Sequence, residues 1–161
     1  MPADMTHDLR PAAYDSADAA LLTAEVQQEY VRRYGGEGDT APVDTSEFDG
    51  PNGRFFMIYV GDVPAAMGGW RRHAPLAEWD DAEIKRMYVR PAFQRRGLAR
   101  RLLDELERSA AEAGVTRLIL ETGLGQPEAI ALYRSMGYEE IPAFGYYADE
   151  PDSVHLAKVL T

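Results

Sequence analysis

The segment from 83 to 114 constrains the fold of this chain more than any other part of its sequence. It opens with EIKRMYV, a run typical of a strand, and Arg90-Pro91 then biases the backbone away from helix. From Leu98 onward, apolar residues recur at helical spacing along one face until Gly114 ends the pattern. The order strand, tight turn and amphipathic helix predicts an α/β fold in which this unit is central.

The remaining sequence alternates strand-like runs with two more helical patterns, and it contains no internal repeat. At 161 residues the chain is expected to form one domain, 1–161, with at least one parallel strand–helix–strand crossover. The stretch 35–53, rich in Gly, Asp and Pro, is predicted to be a mobile loop. The predicted helices cover 16–34, 98–113 and 127–136, and the predicted strands cover 7–11, 54–60, 65–72, 83–89, 117–122, 138–141 and 154–160.

Composition excludes several kinds of chemistry. The chain has no cysteine, so thiolate nucleophiles, disulfides and thiolate-bound metals are excluded. The histidines His7, His73 and His155 are scattered and lack zinc-binding spacing, so no metal is expected. No basic and apolar leader and no run of roughly 18–20 apolar residues occurs, which favours a soluble, cytoplasmic protein without a membrane partner.

The charge distribution combines an acidic average with one basic segment. A net charge of −10 argues against a nucleic acid or an anionic membrane as the partner. Between Lys85 and Arg101, however, lie seven of the 17 cations and no acid. This basic segment coincides with the start of the predicted helix at Gly97, where unpaired N–H groups and the helix dipole favour a phosphate. The residues therefore predict a ligand that carries a pyrophosphate, with a solvated arginine face as the alternative.

Two common nucleotide motifs do not fit this chain. The phosphate-binding pattern GxxxxGK[ST] is absent, and Gly123-Leu124-Gly125 is followed by Glu128 where a dinucleotide motif needs a small residue. ATP and NAD are therefore disfavoured as ligands.

The segment QRRGLA at 94–99 resembles the acyl-CoA signature [Q/R]xxGx[G/A] of the GNAT superfamily of N-acetyltransferases. The likeness continues into ETGLGQPEAIALYRSMGYEEI and is clear from Glu83 to Ile141. It implies the GNAT fold, a mixed and mostly antiparallel sheet of about six to seven strands with splayed central parallel strands and about four flanking helices. It further implies acetyl-CoA as the acyl donor and, as in many relatives, a homodimer.

The resemblance also assigns roles to cofactor-binding residues. The strand residues Met87, Tyr88 and Val89 would contact the pantetheine arm, with the backbone groups of Met87 and Val89 pairing with it like an added strand. Gln126 stands where relatives usually have Asn, and its longer amide would bond the cofactor arm. The pyrophosphate would be bound by the backbone and charges of the turn residues Arg95, Arg96, Gly97, Leu98, Ala99 and Arg100.

Catalysis requires a base for the amine and an acid for the departing sulfur. Tyr133 matches the tyrosine that commonly protonates the thiolate in the family. Glu83 is the first candidate for the base, acting from the cofactor strand through burial or a water relay, and Glu121 on the neighbouring strand is the competing candidate. Either carboxylate could instead be a strand-edge group paired with Lys85, Arg86 or Arg117. A backbone N–H of the cofactor strand, that of Val89, would stabilise the oxyanion.

These features predict an enzyme that moves an acetyl group from acetyl-CoA to a primary amine of a small molecule by direct attack in a ternary complex. The alternative is a non-catalytic acyl-CoA-binding or sensor protein of the same fold. The sequence leaves the acceptor open: acids in the flanking loops favour a cationic amine, whereas Arg86 and Arg71 or Arg72 could bind a carboxylate.

Overall fold

The computed structural model describes residues 7–76 and 78–160, which contain one seven-stranded mixed sheet. Its strand order is β1-β2-β3-β4-β5-β7-β6, and every neighbouring pair is antiparallel except β4 and β5. The predicted mixed, mostly antiparallel sheet is therefore confirmed. The strands are β1 (His7–Pro11), β2 (Gly53–Val60), β3 (Val63–Arg72), β4 (Asp81–Val89), β5 (Arg117–Gly123), β6 (Glu139–Glu140) and β7 (Ser153–Val159).

Three α-helices cover the two faces of the sheet: α1 (Ala17–Tyr34), α2 (Leu98–Glu112) and α3 (Pro127–Ser135). The apolar side of α1 packs with Phe48 and Phe55 on one face. On the other face, α2 buries the leucine stripe predicted from the sequence, and α3 packs beside it. The fully buried stripe residues of α2 are Leu102, Leu103, Leu106 and Ala110.

The helix count differs from the number implied by the resemblance. Where about four helices were expected, the described residues contain three α-helices and two 3₁₀ turns, Thr45–Phe48 and Pro91–Phe93. The stretch 35–53 is too rich in Gly, Pro and Asp to sustain an α-helix. It is nevertheless held in place, because the Gln27 amide donates to the Asp39 carbonyl (3.0 Å) and accepts from the Asp39 N–H (2.7 Å).

No helix in the described ranges has the length and apolar character needed to cross a membrane. The seven strands share one sheet, which is compatible with the single domain predicted for 1–161; that domain boundary stays a prediction.

Truncation of the α2 stripe should destabilise the chain strongly. Leu103 is fully buried against the sheet, so we expect Leu103→Ala to lower the free energy of unfolding by about 2–5 kcal/mol, through lost burial and the cavity left behind. Leu21 on α1 is 46% exposed, and Leu21→Ala serves as the matched control with a cost below about 1 kcal/mol. Urea denaturation measures both, and equal losses would contradict the assigned core.

Candidate active site

The site lies where the two parallel strands separate. β4 and β5 are paired only from Asp81 to Glu83, although β4 continues to Val89. At the paired end, Arg117 holds Asp81 in a bidentate ion pair with distances of 2.7 and 3.1 Å. Beyond Glu83 the open edge of β4 faces a gap in the sheet. The splayed parallel strands implied by the resemblance are present.

A β-bulge in β4 accompanies the separation. Lys85 pairs with Gly69 and Tyr88 with Met67, so β4 has one more residue in this interval than β3. The extra residue falls at Arg86, which adopts the left-handed conformation with φ 62°. A bulge bends and twists its strand, and here it coincides with the region where β4 and β5 no longer pair.

The open edge of β4 presents backbone groups to the gap. The N–H of Arg90, just after β4, donates to the Ala65 carbonyl of β3 at 2.9 Å. Because N–H directions alternate along a strand, those of Val89 and Met87 point away from β3, toward the gap. This orientation fits the pairing predicted for Met87 and Val89. The side chain of Tyr88 instead faces α1, where its hydroxyl donates to Glu25 at 3.1 Å.

A cavity of about 310 Å³ occupies the gap. Its lining brings together four residues that the sequence selected from distant segments: Glu83, Met87, Gln126 and Tyr133. Glu121, the competing base candidate, also lines it. The structure thus assembles both candidate carboxylates, the candidate acid and part of the predicted cofactor strand around one space.

The predicted pyrophosphate residues lie outside that cavity, at the exposed start of α2. Gly97 is the N-cap in the left-handed conformation (φ 77°) with no side-chain cap, so the first N–H groups of α2 have no intrahelical partner. Arg95 also has a positive φ of 65° and is exposed. Arg100 donates to Ser135 Oγ at 2.9 Å, which places this turn beside the end of α3.

Glu83 is held by a cation. Its Oε1 accepts from Arg71 Nε at 3.2 Å and from Nη2 at 3.0 Å, across the β3–β4 register in which these two residues are partners. Arg71 also bonds Glu47 at 3.0 Å. Both side chains of the Arg71–Glu83 pair are only 12% exposed. Glu83 is therefore paired, but with Arg71 and not with Lys85, Arg86 or Arg117, because Asp39 holds the first two of those cations and Asp81 holds the third.

Glu121 has a different environment. Within the described ranges it makes no hydrogen bond or ion pair with another side chain. Burial raises its pKa to about 7; Lys85 opposes that shift, while Asp39 and Glu83 add to it. A carboxyl group with this pKa exchanges protons readily near neutral pH. Its cross-strand partner His155 is buried, and burial lowers the pKa of that imidazole, so His155 does not supply a compensating charge.

Tyr133 reaches the cavity from the middle of α3. It is 7% exposed and packs edge-on against Tyr138, with ring centroids 5.7 Å apart. Burial raises the pKa of Tyr133 well above its ordinary value, so the phenol keeps its proton at neutral pH. A protonated phenol at the cavity wall is suited to donating a proton or a hydrogen bond.

Gln126 forms the N-cap residue of α3 at the edge of the cavity. Its Oε1 accepts from Thr122 Oγ1 at 3.1 Å, which fixes the amide beside β5. The proposed contact with the cofactor arm depends on the remaining donors of this amide.

Sequence analysis missed Asp39. Asp39 Oδ2 lies 2.9 Å from Lys85 Nζ and 3.0 Å from Arg86 Nη1, while its Oδ1 accepts from Tyr147 at 2.5 Å. Burial opposes ionisation, but Lys85 and these hydrogen bonds outweigh it, so the pKa of Asp39 is lowered. A lone Asp in a glycine-rich loop carries no sequence signal for this role, because its partners come from β4 and the loop before β7.

A second cavity of about 280 Å³ adjoins the first. The two share Glu83, Lys85, Glu121 and Tyr147 in their walls. Phe144, Tyr146 and Tyr147 add aromatic surface to the second cavity. Two chambers that meet at the candidate base can hold a donor and an acceptor at the same time.

In the described residues, no group of three or more His, Asp or Glu side chains converges as a metal ion would require.

A mixed sheet that opens into a cleft between its two parallel strands is the arrangement that the sequence resemblance implied for this chain. The model of the acetyltransferase (GNAT) family matches residues 23–138, and the chain belongs to this family. Its relatives include the IAA acetyltransferase of Azospirillum brasilense, 42% identical over 78 residues, or 48% of this chain and 51% of that protein. The match thus spans about half the length of that relative.

Two further proteins are similar over longer stretches. The N-acetyltransferase YsnE of Bacillus subtilis is 33% identical over 115 residues, 69% of this chain and 72% of that one. The solved yncA structure of Salmonella typhimurium, which contains acetyl-CoA, covers 97% of this chain and 95% of its own with a TM-score of 0.70 and 21% identity. That likeness shows the shared fold.

The environment of Glu121 makes the stability of the folded chain depend on pH. Because its folded pKa is about 7 against an ordinary value of 4.5, its contribution is fully present below pH 4.5 and is lost as pH rises through 7. We expect the free energy of unfolding of Glu121→Gln, relative to that of the parent, to increase by about 1 kcal/mol or more from pH 5 to pH 8. Denaturant unfolding at both pH values measures this, with exposed Glu140→Gln as the charge control. A difference that does not change with pH would contradict the buried, unpaired state.

Proposed function

We propose that this protein is an acetyl-CoA-dependent N-acetyltransferase that acetylates a primary amine of a small molecule by direct attack in a ternary complex. The observation that carries the proposal is the meeting of two cavities at Glu121, beside the open edge of β4, with Tyr133 in the wall of the first cavity. A sensor needs only the donor site, whereas this arrangement adds an ionisable carboxyl group and a second chamber.

The residues of the gap fit a coenzyme A thioester. The start of α2 offers unpaired N–H groups and exposed arginines for a diphosphate, namely Arg95, Arg96 and Arg100 around the backbone of Gly97, Leu98 and Ala99. The free N–H groups of Met87 and Val89 and the amide of Gln126 would hold the arm that leads into the cavity. When bound, acetyl-CoA supplies the activated acetyl group.

Glu121, rather than Glu83, is our proposed base. Glu121 takes a proton from the attacking amine, the amine nitrogen forms a bond to the acetyl carbon, and the bond from that carbon to sulfur breaks. The N–H of Val89 faces the gap and is positioned to stabilise the charge that develops on the acetyl oxygen. Tyr133 gives its proton to the sulfur, which departs as a thiol. Glu83 keeps its ion pair with Arg71 and shapes the wall.

The general-acid and general-base assignments are tested by kinetics. We expect Glu121→Gln and Tyr133→Phe each to lower kcat by about a hundredfold or more, because each removes one proton-transfer group. Coenzyme A affinity should change little in both. Glu83→Gln and the remote Tyr59→Phe are the matched controls. Thiol release from acetyl-CoA across a panel of amines measures turnover, and a larger loss in Glu83→Gln than in Glu121→Gln would reverse the assignment of the base.

The donor site is tested by binding. Gly97 and Gly61 both have positive φ values, 77° and 60°, and open space where a Cβ would lie. Glutamate therefore causes similar backbone strain at either position, but only at Gly97 does it place a negative charge in the anion site. We expect Gly97→Glu to weaken coenzyme A binding at least about a hundredfold and Gly61→Glu to leave it unchanged. Calorimetry decides, and equal affinities would refute the donor site.

Saturable binding of coenzyme A without turnover on any amine would support the sensor alternative instead. The homodimer and the cytoplasmic location stay predictions; gel filtration and cell fractionation test them.

A further inference from the structure

The cations around the two cavities are already bound to anions of the chain. Lys85 and Arg86 share one oxygen of Asp39, at 2.9 and 3.0 Å. Arg71 is bound to Glu83 and Glu47, each at 3.0 Å. The side chains of all three cations are at most 12% exposed.

Arg72, the other arginine of the second cavity, is engaged elsewhere. It donates to the backbone carbonyls of Pro51 at 3.0 Å and Ala113 at 2.6 Å. Neither Pro51 nor Ala113 lines either cavity, so this guanidinium is bound to backbone acceptors outside them.

When Glu121 is ionised, the charge that remains at the junction of the cavities is negative. Three cations, Lys85, Arg86 and Arg71, face four carboxyl groups, Asp39, Glu47, Glu83 and Glu121. Of these, only Glu121 has no ion-pair partner within the described residues. An incoming ammonium group therefore meets the carboxyl group of Glu121, whereas the lysine and arginines that line the cavities in the described residues already have acceptors within the chain.

We propose that the acceptor is a primary amine whose adjacent carbon bears no carboxylate, and that Asp39 enforces this choice by holding Lys85 and Arg86. The inference rests on the proposed function and narrows its substrate class. It excludes free α-amino acids and leaves alkylamines, arylalkylamines and amines next to an amide as acceptors. Of the two kinds of acceptor that the sequence left open, a cationic amine is therefore favoured over a ligand that carries a carboxylate.

The physical reason is the closeness of the two groups in an α-amino acid. Its carboxylate lies one carbon from the amine, so an amine bonded to Glu121 brings a second negative charge into a mostly buried site. Like charges at about 4 Å repel strongly where the effective dielectric constant is low. Desolvation of the carboxylate adds a further cost, because no free donor replaces its water. Specificity then comes from rejection of the wrong ligand rather than from added contacts with the right one.

The unmodified protein provides the first test, with amino acids compared against their own decarboxylated counterparts. The pairs are 2-phenylethylamine with L-phenylalanine and 3-methylbutylamine with L-leucine. We expect kcat/KM to favour the amine at least about tenfold in each pair. The alkylamines resemble the lysine side chain, whose pKa is about 10.4, so greater availability of the neutral amine would not explain this preference.

Asp39→Asn is the second test. Asparagine retains an oxygen for the Ala41 N–H (3.0 Å) and the Tyr147 hydroxyl (2.5 Å), but it no longer neutralises Lys85 and Arg86. We expect the ratio of kcat/KM for amine over amino acid to fall by about tenfold, mainly through a lower KM for the amino acid. Asp62→Asn, in the exposed β2–β3 turn, removes the same charge at a distance and should leave the ratio unchanged.

The outcomes separate this inference from the proposed function. Equal kcat/KM values within a pair, or an unchanged ratio in a folded Asp39→Asn variant, would overturn the inference while the acetyltransferase proposal stands. If coenzyme A binds but none of the amines tested causes thiol release from acetyl-CoA, both the inference and the proposed function are contradicted. If Asp39→Asn does not fold, Lys85→Met replaces it: loss of this cation should increase the discrimination against amino acids, and a decrease would overturn the inference.

Discussion

The short pairing between β4 and β5 is the constraint on which the site depends. Two parallel strands in the middle of a sheet normally exchange hydrogen bonds along their whole length, and here pairing ends at Glu83. The bidentate contact between Arg117 and Asp81 fixes the closed end, while the bulge at Arg86 bends β4. The backbone groups left unpaired beyond that point have no strand partner, and an extended ligand arm can satisfy them as a strand would.

The same gap determines the electrostatics of the cavity walls. Side chains beside the gap surround a partly enclosed space. Ionisation of a carboxyl group there is costly unless a nearby cation compensates it. Asp39 and Glu83 have such partners in Lys85 and Arg71. Glu121 has none among the described residues, and its pKa rises to about 7. One architectural feature thus accompanies pKa shifts of opposite sign in Asp39 and Glu121.

Sequence reasoning succeeded where the information is local or carried by a motif. The glycine turn and leucine stripe of α2, and the strands on either side, follow from periodicity, and the splayed sheet followed from the resemblance around Gly97. The resemblance implied about four helices and the described residues contain three; the stretch 35–53, predicted as a loop, is poor in helix-forming residues and is held by tertiary contacts through Asp39. The ranking of Glu83 over Glu121 depended on which carboxylate an arginine from β3 would reach. That is a property of strand register, and local sequence does not encode it.

Register also explains why Glu121 stays unpaired. Its direct neighbour on β7 is His155, whose imidazole is buried against Phe144 with ring centroids 5.0 Å apart. Burial lowers the pKa of that histidine, so a cation does not form beside Glu121 near neutral pH. On the other side, Lys85 is the nearest cation of β4, and Asp39 already holds it. A one-residue slip of β7 would exchange His155 for its neighbours Val154 or Leu156 and would turn the imidazole to the opposite face of the sheet. The availability of Glu121 for an incoming amine therefore results from neutral or occupied neighbours on both sides, and not from any feature of Glu121 itself.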